Sequence, residues 1–121
     1  MPAKNELKDF VISQMGESAN FNMRRAYIEF CSAVICLVPI EMFKRLFFEL
    51  LITYKDDKIA KVRSHFVESL IVIKPFFDRD EECAMMITEI ITTLISDPVA
   101  DVAETSEQCE FLILQNRKKF S

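Results

Sequence analysis

Few side chains in this sequence have a type and spacing that could support catalysis or metal binding. His65 is the only histidine, and no cysteine lies near it in sequence to act as a nucleophile. The cysteine spacings match neither a zinc site nor a CxxC redox pair. We therefore interpret His65 as a surface or boundary residue and expect no metal site and no cofactor. All four cysteines are predicted to be small buried hydrophobic residues: Cys31, Cys36, Cys83 and Cys109.

Carboxylates that could be paired for acid–base chemistry have a simpler interpretation. Glu41, and the run from Asp80 to Glu82, fall in the first turns of predicted helices, where negative charge stabilises the helix dipole. The single glycine leaves no Gly-rich phosphate loop and no GxSxG elbow. The sequence therefore predicts a protein that is not an enzyme.

Length and composition predict one helical domain. The chain has 121 residues, of which 50% are hydrophobic and 28% are charged, and this balance excludes intrinsic disorder. The longest uncharged stretch, Phe30 to Ile40, is too short for a membrane helix. One glycine and no Asn-Gly or Asp-Gly pair disfavour β-hairpins. The charged N-terminus resembles no targeting signal, so we expect a reduced cytosolic or nuclear setting.

Apolar residues recur at helical spacing in six segments. Gly16 is predicted to end the first helix. Asp57, Asp78 and Asp97 are predicted N-caps of the last three helices. The predicted organisation is a single domain, 1–121, with a leading helix 3–16, a repeat 20–55, a second repeat 57–96 and a half repeat 98–119.

The sequence repeats itself at an offset of about 40 residues. The segment from Asp57 to Arg63 aligns with 97–103, and the segment from Met23 to Glu29 aligns with 62–68. Two helices per unit at this period are typical of a solenoid, in which each helix pair covers its apolar face with the next pair.

These residues resemble HEAT repeats, whose first helix commonly carries Asp-x-x-x-x-Val-Arg. That pattern occurs here as Asp57 with Val62-Arg63 and, less completely, as Asp97 with Val102-Ala103. The resemblance implies an all-α, right-handed solenoid of antiparallel helix hairpins. In such arrays an arginine–aspartate pair bridges neighbouring repeats or caps a helix, and we favour this structural role for Arg63 and Asp57 over partner binding.

A narrower resemblance concerns segments 23–31, 42–49 and 57–63. They are similar to part of the scaffold-type regulatory subunits of protein phosphatases 2A and 4. This resemblance implies a non-catalytic protein-interaction scaffold that binds a Ser/Thr phosphatase catalytic subunit through the turns inside each repeat, here 37–41 and 74–80. The predicted partner-binding residues are Pro39, Glu41, Lys74, Phe76, Phe77 and Arg79.

Phe76 and Phe77 have two interpretations. If exposed, they are natural interface anchors beside Lys74 and Arg79. The alternative, which we slightly favour, is that one or both fold back over the end of the helix pair.

The acidic region 78–110 and the apolar residues of the last predicted helix suggest further partners. Residues 78–110 hold ten acidic residues and only Arg79, which disfavours nucleic-acid binding and leaves two alternatives, a solvated face or a docking surface for a basic partner. The last predicted helix places Val99, Val102, Cys109, Leu112 and Ile113 inward. Because residues 111–114 are all apolar, we also expect self-association through this helix, and the alternative function is a truncated array that only self-associates.

Overall fold

The computed structural model describes the backbone of residues 2–120 and the side chains of residue 6 and residues 8–115. Over these residues the chain is all-α and contains no strand, as predicted. The side chains of Leu7 and of the basic residues 117–119 lie outside this range. The six helices are α1 (Pro2–Val11, extended by a π-turn Ile12–Gly16), α2 (Phe21–Val34), α3 (Ile40–Phe43, a π-turn Lys44–Phe48, Glu49–Leu51 and a 3-10 turn Ile52–Asp56), α4 (Ala60–Ile73, extended by a 3-10 turn Lys74–Phe77), α5 (Glu81–Leu94) and α6 (Ala100–Phe120).

The buried apolar side chains form one continuous core that runs from Val11 to Cys109. Helix α2 packs on α4, α4 packs on α6, and α5 packs on α6. The π-turn of α1 packs on α2 and reaches α3. Each helix therefore buries its apolar side against helices from another predicted unit.

The single glycine allows a close approach between helices. Gly16 ends the first helix, as predicted, but it does so without a positive φ. A Cβ atom at this position would lie 2.5 Å from Leu50 Cδ2 and 3.2 Å from Tyr27 Cδ2. The Gly16 carbonyl also accepts a hydrogen bond of 2.6 Å from the Tyr54 hydroxyl. The glycine thus lets the end of α1 pack against α2 and α3.

All three predicted helix starts are displaced from the aspartates. Asp80, not Asp78, caps α5, and its carboxylate accepts the backbone N–H of Cys83 at 3.1 Å. Asp78 instead ends the 3-10 turn that follows α4. Helices α4 and α6 begin three residues after Asp57 and Asp97, because each aspartate accepts the N–H two residues ahead in a turn that precedes the helix.

The π-turn in α3 and the exposed face of α6 change two predicted burial patterns. A regular α-helix that buries Phe47 would turn Phe48 away from the core, but Phe48 is buried as well, because the wider π-turn shifts the register of these residues. Two residues that were predicted to face inward are exposed: Val99, directly before α6, is 37% exposed and Leu112 of α6 is 43% exposed. Both predictions are therefore wrong at these positions.

Candidate functional site

The turns inside the two helix pairs, 37–41 and 74–80, form the candidate surface, which we call the turn ridge. Its apolar members are prominent: Leu37 is 80% exposed and Phe76 is 41% exposed. Pro39 is exposed directly before α3, and Glu41 is exposed in the first turn of that helix. Arg79 is also exposed. The sequence placed Leu37 in the predicted partner-binding turn 37–41, but it was not named among the partner-binding residues.

Two contacts join the second turn to α3. The Lys44 ammonium donates to Asp80 Oδ2 at 2.6 Å. The Phe77 ring lies 4.8 Å from the Phe48 ring, centroid to centroid. Lys44 is only three residues after Glu41 in the chain, so the second turn packs against the first half of α3.

Phe76 and Phe77 have opposite roles. Phe77 is fully buried and packs against Phe43 and Phe48, so the expectation that it contacts a partner is wrong. Phe76 is its exposed neighbour. The 3-10 turn that follows α4 explains the difference, because adjacent side chains of a helical turn point in different directions.

Lys74 is half-buried and lines a shallow groove between the end of α4 and helices α5 and α6. The groove has a volume of about 50 Å³ and also contains Thr88, Ile91, Glu110, Ile113 and Leu114. The carboxylate of Glu110 and the ammonium of Lys74 are the charged groups of this lining.

Arginine side chains join successive units in the same way twice. Arg24 of α2 donates from Nε and Nη2 to the two carboxylate oxygens of Asp57, at 2.8 and 3.0 Å. Arg63 of α4 donates from the same two atoms to Asp97, at 2.8 and 3.1 Å. Both pairs are nearly buried, with side chains 6–12% exposed. The structural role predicted for Arg63 and Asp57 is confirmed, although Arg63 contacts the Asp57 carbonyl and not its carboxylate.

The backbone partners of the two arginines repeat as well. Arg24 Nη1 donates to the carbonyl of Ser18 at 2.9 Å, six residues earlier. Arg63 Nη1 donates to the carbonyl of Asp57 at 2.7 Å, also six residues earlier. The third unit lacks this arrangement because Ala103 occupies the arginine position.

A turn before each unit completes the pattern. The Asp57 carboxylate accepts the N–H of Ile59 at 2.9 Å, and the Asp97 carboxylate accepts the N–H of Val99 at 2.9 Å. At the equivalent position of the first unit, Ser18 accepts the N–H of Asn20 at 3.1 Å. Each aspartate therefore stabilises the start of its own helix and holds the arginine of the preceding unit.

The arginine–aspartate bridges and the turn ridge shift the pKa of several groups. The hydrogen bond to Asp57 raises the pKa of Arg24, although burial opposes it. Burial raises the pKa of Asp97, but the Arg63 hydrogen bond, the Val99 N–H and the Arg63 charge together outweigh burial and lower that pKa. The hydrogen bond from Lys44 lowers the pKa of Asp80.

We expect the free energy of unfolding to fall when the pH is lowered below about 4. Because the pKa of Asp80 and of Asp97 is lower in the folded chain than in the unfolded chain, their contribution is complete above the ordinary carboxyl pKa of about 4. It is lost as the pH falls through the lowered values. Urea titrations between pH 7 and pH 3 measure this loss. Asp97→Asn should weaken the acid dependence and Asp56→Asn, at an exposed side chain, should not. Equal acid dependence in both variants would contradict the assignment.

Three of the four cysteines are buried and one is exposed. Cys31, Cys83 and Cys109 are buried as predicted, but Cys36 is exposed one turn before Pro39, so that prediction is wrong for Cys36. Cys36 lies two residues after the end of α2, where the helical spacing no longer applies.

We expect a maleimide reagent to label one cysteine rapidly in the folded chain. Cys36 is accessible, whereas burial raises the pKa of Cys31 to about 12 and of Cys109 to about 11, which leaves little reactive thiolate. Mass spectrometry after brief labelling at neutral pH should find the label at Cys36. Rapid labelling of all four cysteines without denaturant would contradict the structure.

The other candidate residues form no reactive cluster. His65 of α4 is partly exposed beside α2, and its Nε2 atom lies 3.3 Å from Glu29 Oε1, as expected for a boundary residue. Among the described side chains, no group of three or more His, Cys, Asp or Glu residues could hold a metal ion. None of the helices in the described part of the chain combines the length and apolar character required to cross a membrane.

Comparison with known proteins adds no assignment. The chain matches no family model, no curated protein and no solved structure.

Proposed function

We propose that the protein is a non-catalytic adaptor, a right-handed solenoid of HEAT-like helix hairpins, and that its turn ridge binds another protein. The repeated arginine–aspartate bridges are the observation that carries this proposal. Two bridges with the same donor atoms, each with a backbone acceptor six residues earlier, at a sequence separation of 33 and 34 residues, are what stacked equivalent units would produce.

A solenoid places equivalent turns along one edge, where they form an extended surface. The exposure of Leu37 and Phe76 supports the turn ridge as that surface, because exposed apolar side chains bordered by charge are typical interface anchors. Glu41 and Arg79 provide the charges beside them.

The partner we propose is the catalytic subunit of a Ser/Thr protein phosphatase of the 2A or 4 type. Support for this class comes from the resemblance of segments 23–31, 42–49 and 57–63 to scaffold-type regulatory subunits. The proposed setting is the cytoplasm, with the nucleus as the alternative, where these phosphatases would meet the adaptor.

Surface plasmon resonance with purified phosphatase 2A and 4 catalytic subunits tests the proposal. We expect Phe76→Ala to weaken binding at least about ten-fold, because an exposed aromatic anchor is lost. Charge reversal of Lys74 and Arg79 should weaken it further. Phe10→Ala is the matched control, since Phe10 is 61% exposed on α1 and outside the turn ridge.

Two outcomes would contradict the proposal. Failure of both catalytic subunits to bind the wild-type chain at micromolar concentration would exclude the phosphatase partner. Binding that Phe76→Ala and Phe10→Ala weaken equally would exclude the turn ridge as the contact surface.

The alternative function is that of a degenerate array that acts only through self-association. The exposed apolar residues of α6 favour it: Phe111, Leu112 and Leu114 are 59%, 43% and 48% exposed. In that case the chain would recover only itself, and turn-ridge variants would change nothing.

A further inference from the structure

The two tyrosines of the chain each donate a hydrogen bond to one of the two π-turns in the described backbone. The Tyr27 hydroxyl of α2 donates to the carbonyl of Phe47, inside the π-turn of α3, at 3.0 Å. The Tyr54 hydroxyl donates to the carbonyl of Gly16, the last residue of the π-turn of α1, at 2.6 Å. Both rings are buried, and burial raises the pKa of both hydroxyls, so they stay protonated and able to donate.

The second repeat provides an internal comparison with the first. The alignment of 23–29 with 62–68 places Phe66 at the position of Tyr27. Phe66 is equally buried but has no hydroxyl to donate. The second helix of this repeat, α5, is a regular α-helix over all of Glu81–Leu94. The π-turn therefore occurs in the unit that has the tyrosine, and no π-turn occurs in the second unit, all of which the structure describes.

The second helices of the two repeats also differ in which residues they bury. At an offset of 40 residues Phe47 aligns with Ile87, and both are buried. Phe48 aligns with Thr88, but Phe48 is buried and Thr88 is exposed. Thr88 Oγ1 donates to the Ala84 carbonyl four residues earlier at 3.0 Å, as a regular α-helix allows. The regular register therefore places this position outside the core, and the π-turn brings it inside.

We propose that the Tyr27 hydroxyl selects the π register of α3, and that α3 has a second, regular register, which it adopts when this hydrogen bond is broken. In the regular register Phe48 leaves the core, as Thr88 of α5 does, and its ring no longer contacts Phe77. Tyr27 is thus a positioning residue, which acts on the second turn through α3.

The register of α3 matters because it sets the position of the second turn, 74–80. The two ends of the π-turn both contact it: Lys44 donates to Asp80, and Phe48 packs against Phe77. A regular turn rotates its residues differently from a π-turn, so the regular register cannot keep both contacts. The second turn belongs to the turn ridge, but the proposal involves no partner, so failure of phosphatase binding would leave it standing.

Nuclear Overhauser effects between aromatic rings in the full chain report the register directly. The wild-type chain should show cross-peaks between Phe48 and Phe77, and Tyr27→Phe, which removes a single oxygen atom, should lose them. The Phe30 and Phe47 rings, 5.3 Å apart between centroids, are the internal control. Their cross-peaks should persist, because the equivalent of Phe47 in the regular helix α5 is buried as well.

Tyr54→Phe is the matched variant, because it removes the other buried hydroxyl, whose acceptor lies in α1 and not in α3. It should retain the cross-peaks between Phe48 and Phe77. Persistence of these cross-peaks in Tyr27→Phe would overturn the proposal. Their loss in both variants would also overturn it, since the core would then loosen without any selection of register.

A second pair of variants decides the question if Tyr27→Phe folds poorly. Phe48→Thr gives α3 the residue that α5 carries at the equivalent position. We expect the double variant Tyr27→Phe with Phe48→Thr to have a urea midpoint at least as high as that of Phe48→Thr alone, because the first unit then has the combination found in the second. A lower midpoint for the double variant would show that the hydroxyl and position 48 act independently, and would overturn the proposal.

Discussion

Phe77→Ala is expected to lower the free energy of unfolding by about 4 kcal/mol, the usual cost of truncating a fully buried phenylalanine. The Phe77 ring contacts both Phe43 and Phe48, so its loss leaves a cavity between the second turn and α3. Guanidinium titration followed by circular dichroism measures the change.

Phe76→Ala is the matched control for this prediction, because Phe76 is the adjacent residue in the same turn. Its side chain is 41% exposed, and we expect a loss of less than about 1 kcal/mol. Phe77→Leu retains most of the volume and should lose less than Phe77→Ala even if the alanine variant does not fold. Equal losses of unfolding free energy for Phe76→Ala and Phe77→Ala would contradict the burial of Phe77 and the exposure of Phe76 in this turn.

Arg63→Ala is expected to destabilise the chain by about 3 kcal/mol, because it leaves the Asp97 carboxylate nearly buried without its cation. It also removes the hydrogen bond to the Asp57 carbonyl. Urea titration at neutral pH measures this loss, and the exposed pair Lys55–Asp56 provides the comparison. Lys55→Ala should cost less than about 0.5 kcal/mol.

A double substitution tests whether the loss of stability in Arg63→Ala comes from the unpaired Asp97 carboxylate. Arg63→Met combined with Asp97→Leu removes both charges, so it should cost less than Arg63→Ala alone. A double variant less stable than Arg63→Ala would show that the unpaired carboxylate is not the cause of the loss.

The helices and the repeat could be predicted from the sequence because they depend on local signals. Apolar spacing predicts all six helices, and the match of Met23–Glu29 to 62–68 aligns Arg24 with Arg63, which have equivalent partners in the structure. The displaced helix starts could not be predicted, because the same aspartate can cap a helix or close a turn just before it. The α3 π-turn also has no periodic signal, so Phe48 was missed.

Burial near the turns was harder to predict than burial within helices. The sequence places Phe76 and Phe77 side by side, and only the direction of the 3-10 turn decides which ring enters the core. Cys36 and Leu112 were predicted to be buried from helical patterns that continue past the point where neighbouring helices cover them. In both cases the missing information was tertiary, namely where the adjacent helix ends.

The most direct test of equivalent stacked units is a pair of double-mutant cycles, one for Arg24 with Asp57 and one for Arg63 with Asp97. Each cycle isolates the interaction of one arginine with the aspartate of the next unit. We predict favourable coupling energies of about 2 kcal/mol that agree between the two bridges within about 1 kcal/mol. Coupling below about 0.5 kcal/mol at either bridge would contradict the repeated architecture on which the adaptor proposal depends.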